Sequence, residues 1–228
     1  MKKKIIFLML CAMCISCLCA CGPTNVNIND YLIENRVNLF TAQDDIYSLT
    51  LSTGTRETNY SFDGVIDEMC DFGILTLSRN DNSPLAKDTY TYTVRIGEEN
   101  YTGILACNEI DNTYSADIGI NISSDSVITA QVSFTGYTFS KELTNTSNSF
   151  AVDNNTAINI ANKELEKNIS TITRDKNNKI EVITKILKDY STSDLKKYYW
   201  YIGVISTKGE TLGVLIDSSN GNIIAKKV

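Results

Sequence analysis

The chain has 228 residues, 43% of them hydrophobic and 21% charged, with 21 Lys and Arg against 27 Asp and Glu and no histidine. That length and apolar content fit one large domain or two small ones with a packed core, and a formal charge of −6 disfavours nucleic acid and anionic headgroups as direct partners. The absence of histidine removes the commonest general base and the usual activation of a serine or cysteine nucleophile, and leaves zinc only carboxylates and a few thiols as ligands.

Lys2, Lys3 and Lys4 precede an uncharged apolar run from Ile5 to Ala20, the layout of an export signal. The run is shorter than the roughly 20 residues that a membrane-spanning helix needs. It ends in Leu18-Cys19-Ala20-Cys21, which resembles the lipobox of bacterial lipoproteins. That resemblance implies removal of residues 1–20 and lipidation of Cys21, with the protein held on the outer face of a bacterial cytoplasmic membrane. An ordinary cleaved signal with Cys21 merely nearby is the alternative. Cys11, Cys14, Cys17 and Cys19 read as small hydrophobes, since thiolates stranded in an apolar run would be costly. Processing removes the three lysines and takes the formal charge from −6 to −9. The two acyl chains of a lipoprotein, rather than the protein surface, then supply the membrane attachment. Residues 22–29 read as a polar tether that reaches about 29 Å at most.

Downstream, Leu32, Ile33, Val37 and Phe40 recur at helical spacing behind Asp30 and predict a helix of about three turns. From Asp45 to Leu143 the period changes to two, as in Tyr92, Val94 and Ile96 against Thr91, Thr93 and Arg95. Several such runs, broken by turn-rich stretches such as "STGTRE" and "RNDNSP", predict a β-rich sandwich or barrel-like domain over residues 30–143. Most of the 12 tyrosines fall on these strands, where strand propensity explains them before a sugar- or peptide-binding face does. Cys70 and Cys107 could form a disulfide in an exported protein, or stand as two small apolar thiols. Asp44-Asp45, Asp81 and Asp217 with Asn220 are oxygen-rich, but none has the spacing of a calcium loop, and they read as solvated turns.

The polar stretch 144–149 marks a boundary. Beyond it Asp153 caps a helix whose Ile158, Ala161, Leu165 and Ile169 share a face, followed by strands in "KIEVITKILKDY", "YYWYIGVIS" and "TLGVLIDS". With Ala157 and Ala161 on the helix, Trp200 in the middle strand, and Val214 and Asp217 before Gly221 and Ile223, residues 150–228 resemble the PepSY domain. The resemblance implies a helix packed on an antiparallel sheet, hence an α+β chain overall. It also implies an exported or membrane-attached protein that restrains a peptidase or envelope enzyme by contact, with no catalytic residue to carry over. The expectation is therefore a non-enzymatic lipoprotein without cofactor or metal that acts through protein contacts. A solute- or glycan-binding lipoprotein using the tyrosine-rich β region is the alternative, and a carboxylate-based hydrolase ranks last.

Overall fold

The computed structural model describes residues 26–120, 122–189 and 197–228. Alternating sequence carries most of them into strands. β1 (Leu32–Gln43), β2 (Tyr47–Glu57), β3 (Met69–Arg79) and β4 (Tyr90–Ile96) are followed by β5 (Glu99–Asn108), β6 (Thr113–Ile118), β7 (Ile128–Phe134) and β8 (Tyr137–Asn145). They pair antiparallel in the order β1-β2-β3-β6-β5-β4-β7-β8. β8 then returns to β1, with Asn145 opposite Phe40 and Thr144 opposite Thr41, and closes an eight-stranded barrel.

The lumen is filled by the inward half of each alternating strand. Leu49, Leu51, Leu75, Val94, Ile128 and Val132 are all fully buried. Tyr90 packs against Tyr114 at 4.2 Å and Phe134 at 4.6 Å between ring centroids, and both tyrosine hydroxyls donate to the Ala86 carbonyl. The strand tyrosines at 90, 92 and 114 are thus core side chains of the barrel rather than an exposed aromatic face.

After a 3-10 turn at Thr146–Ser149 comes α1 (Asn154–Ile172), then β9 (Ile180–Lys188), β10 (Tyr198–Ser206), β11 (Thr211–Asp217) and β12 (Ile223–Lys227). Asp153 starts the helix by accepting the Thr156 N–H at 2.7 Å. Ala157, Ile158, Ala161, Leu165 and Ile169 form its buried stripe, against Trp200, Ile202, Val204, Leu212, Val214 and Ile216 of the strands. Each large aliphatic side chain buried there contributes about 1.5–3 kcal/mol. Trp200 also donates its indole N–H to the Val152 carbonyl at 2.8 Å, which ties the helix approach to the sheet.

Three expectations need correction. The segment 30–43 is not a helix of three turns: Asp30 and Tyr31 end a short 3-10 turn, and residues 32–43 are the long strand β1. As a central strand with a partner on each edge and cover on both faces, it buries neighbours such as Ile33 with Glu34 and Leu39 with Phe40, so its apolar residues do not alternate. Residues 150–228 do not make a separate PepSY-like helix-on-sheet domain. β9 lies parallel to β1, with Leu32 opposite Val182 and Asn35 opposite Thr184, so β9 to β12 extend the sheet that forms the barrel wall. The chain is consequently mostly β, an eight-stranded barrel with four added strands and a single α-helix among the described residues, and not α+β.

Candidate functional site

The densest grouping of buried ionisable residues lies on the face of the sheet opposite α1, where β9, β1, β2 and β3 run side by side. Ladder partners in a sheet point to the same side. The pairs Glu34 with Arg56 and Arg36 with Gly54, and then Gly54 with Phe72, therefore bring these side chains into one layer. Glu34 is 4% exposed and accepts the Arg36 Nε–H at 2.6 Å, with Lys185 Nζ at 3.8 Å. The guanidinium groups of Arg36 and Arg56 stand 5.7 and 4.7 Å from the centre of the buried Phe72 ring. Arg56 in turn pairs with Asp117 at 2.6 Å. Burial pushes the Lys185 ammonium below its usual value, with Glu34 opposing the shift and Arg36 adding to it.

The connection between β2 and β3, residues 58–68, folds across one end of this layer and is held from beneath at two points. Its base is tied by the Thr58 N–H to the Glu68 carbonyl at 2.9 Å. Glu57 accepts the Asp67 N–H at 2.8 Å, and Glu181, from β9, accepts the Gly64 N–H. Both carboxylates are almost fully buried, and the second oxygen of each has no hydrogen-bond partner. Burial raises the Glu181 carboxyl above its usual range; the Gly64 N–H offsets part of this, and the charge of Glu57 adds to it. Tyr60, in the same loop, is partly exposed, and its hydroxyl is pushed well above its usual range by partial burial and by the Glu34 carboxylate.

Gly64 is required at the second point. Its φ of +76° is unfavourable for other residues, and a Cβ there would stand 2.7 Å from Lys179 and Thr207 side-chain carbons. The result is a loop whose backbone is fixed while its apolar side chains face outward. Phe62 is 49% exposed and Val65 52%, with Tyr60 and Ile66 beside them, and the Tyr60 and Phe62 rings meet edge to face at 5.5 Å. Asp63, Asp67 and Glu68 add exposed negative charge to the same loop, and Lys179 lies against Gly64.

Cys21 lies outside the described residues. Cys70 and Cys107 are free thiols: Cys70 sits on β3 opposite Arg56, and Cys107 on β5 opposite Tyr114. Tyr114 is level with Leu77, so the two cysteines are seven strand residues apart along the barrel, or about 23 Å. A disulfide needs Cα atoms within about 7 Å. Among the described residues no group of three or more acidic or cysteine side chains is placed to hold a metal, and no helix is long and apolar enough to cross a membrane.

Sequence reasoning did not single out the β2–β3 loop. The signal was present in "NYSFDGVI", an apolar residue at nearly every second position inside a stretch rich in Asn, Ser, Asp and Gly. Glu57 and Glu181, which hold the loop, carry no local signal at all. Comparison with known proteins finds no matching family, no matching curated protein and no matching solved structure.

Proposed function

We propose that this protein is an extracytoplasmic lipoprotein, anchored through Cys21 to the outer face of a bacterial cytoplasmic membrane, that works by contact with another envelope protein and not by catalysis. The observation that carries the contact reading is the braced loop: Tyr60, Phe62, Val65 and Ile66 exposed together on a backbone that buried carboxylates hold in place. Exposed apolar clusters of this kind mark interaction sites, and a loop fixed before binding loses little entropy on docking. The acidic residues of the same loop suit a partner whose apolar pocket is rimmed by Lys or Arg, and they oppose direct insertion into anionic lipid.

Position favours a membrane-associated partner. Because Glu34 pairs with Arg56, the start of β1 and the end of β2 lie at the same end of the sheet. The chain therefore enters the fold at the same end of the sheet as the loop, on the α1 face where Val26 and Ile28 pack under the helix, and the five residue spacings from Cys21 to Val26 reach about 18 Å at most. The lack of histidine and the salt-bridged state of the charged layer beneath the loop support the non-catalytic reading.

The test is affinity capture after crosslinking in native membranes, comparing the parent with a Phe62→Ser/Val65→Ser variant and with Cys21→Ser. Enrichment of an envelope protein by the parent, lost in the loop variant and reduced without the anchor, is the expected result. Equal capture by parent and loop variant would remove the loop from the reading, and no enrichment by any form would remove protein contact itself.

A further inference from the structure

A second feature, on the other side of β1, owes nothing to the loop. Along one edge, β1 changes partner: Leu32 to Asn35 pair with β9, whereas Phe40 and Thr41 pair with β8. Residues 36–39 have no strand on that edge. On the other edge the ladder with β2 jumps from Arg36–Gly54 to Asn38–Thr53, so Val37 is a bulged residue, and it is 37% exposed. Side chains fill the fork. Thr184 accepts the Arg36 N–H at 3.1 Å, Ser147 accepts the Leu39 N–H at 3.2 Å, and Asn154 donates to the Arg36 carbonyl at 3.4 Å.

Two hollows flank this fork and share Asn35, Val37 and Asn38, so they form one groove. The larger, about 300 Å³, continues along Ser147, Asn148 and Asn155 to Trp200. The smaller, about 200 Å³, continues along Thr53, Thr55 and Asp71 to Ile120 and Ile122. The walls are thus amides and hydroxyls, the floor is Val37, and each end is apolar. Bulges next to binding sites commonly serve to re-aim a side chain, as Val37 is re-aimed here.

We infer that this groove binds a neutral glycan segment. Side-chain amides offer both a donor and an acceptor to sugar hydroxyls, and an apolar floor suits the C–H face of a pyranose ring. No Lys or Arg lines either hollow, while Asp71 and Asp153 do, which excludes anionic ligands on charge. A peptide strand finds no ladder at this edge, because side chains already hold the Arg36 and Leu39 backbone groups. The larger hollow, at about 300 Å³, reaches the lower end of the range of small-ligand sites.

Trp200 is the only tryptophan in the chain and lines one end of the groove, so its emission reports occupancy directly. The experiment titrates the soluble Cys21→Ser form with chitotetraose, cellotetraose and maltotetraose as neutral probes and with trigalacturonate as the anionic control. The expected result is a saturable emission change with at least one neutral probe, at least tenfold weaker binding in an Asn148→Ala/Asn155→Ala variant, and none with trigalacturonate. Both asparagines are exposed, so the variant keeps the fold. No change with any neutral probe, equal response to trigalacturonate, or unaltered binding in the double variant would each overturn the assignment. A Phe62→Ser/Val65→Ser form should bind as the parent does, which separates this site from the loop contact.

Discussion

The barrel and the sheet extension solve the same problem in different ways. The barrel wall curls until β8 meets β1, so the inward faces of its own strands enclose Leu49, Leu75, Ile128 and Val132, joined by Leu85, Ile120 and Ile122 of the connecting loops, and no helix among the described residues is laid across it. β9 to β12 stay open, and their apolar face is buried only because α1 lies across it. Closed sheets leave no unpaired edge, whereas an open one must manage its last strand. Here that strand is the short, fully exposed β12, in which Lys226 pairs with Glu164 of α1. What links the two solutions is β1, which serves both, so the regions should not be separable in stability.

The most damaging way to break this link is at Gly54. It lies where β2 passes the bulge of β1, and a Cβ would fall 1.9 Å from the Asn35 carbonyl oxygen, a backbone atom that cannot step aside. Gly54→Ala should cost at least about 3 kcal/mol, and both regions should lose structure together in chemical denaturation. Comparable in size are Trp200→Ala in the extension and Phe139→Ala in the barrel, each expected to cost about 3–5 kcal/mol. If β1 couples the regions, each variant shifts one shared transition, seen alike by circular dichroism and, in Phe139→Ala, by Trp200 fluorescence. Two transitions that move independently would show the regions to be separate.

Smaller effects sharpen the comparison. Asp153→Ala removes the cap of the helix that covers the open sheet and should cost about 1 kcal/mol at neutral pH. The Thr156 N–H holds the Asp153 carboxyl below its usual value. Its contribution is therefore complete above the unfolded pKa and lost as pH falls through the lowered folded value, and the variant and parent should converge in Tm well below pH 4. Glu181 has the opposite sign. Its folded value is raised, so its stability contribution is present below the unfolded pKa and lost as pH rises through the folded one. Glu181→Gln should have the higher Tm at pH 8, with the gap closing toward pH 4.

How much of this was legible depended on whether a residue's burial followed from its neighbours. In β4, Tyr90, Tyr92 and Val94 face the lumen and Thr91, Thr93 and Arg95 the outside, and alternation alone marks the strand. α1 was equally readable, since one stripe meets one surface and Asp153 marks its start. β1 misled because it is covered on both faces and interrupted by the Val37 bulge, so its apolar residues fall at helix-like intervals. β12 was missed because none of its residues is buried. The parallel pairing of Asn35 with Thr184 joins residues 149 apart, and no local pattern encodes it. The same holds for the loop site: its exposed side chains are contiguous in sequence, but Glu181 reaches it from another strand.

The contact reading is tested most directly by placing a photo-crosslinking residue at Phe62 in the natively anchored protein, with the same residue at Ile110 as the control. Ile110 is 91% exposed and lies in the β5–β6 turn, at the opposite end of the barrel from the loop. Illumination of intact membranes should give one discrete adduct to an envelope protein from position 62 and none from position 110. No adduct from position 62, or the same adducts from both positions, would contradict docking through the loop.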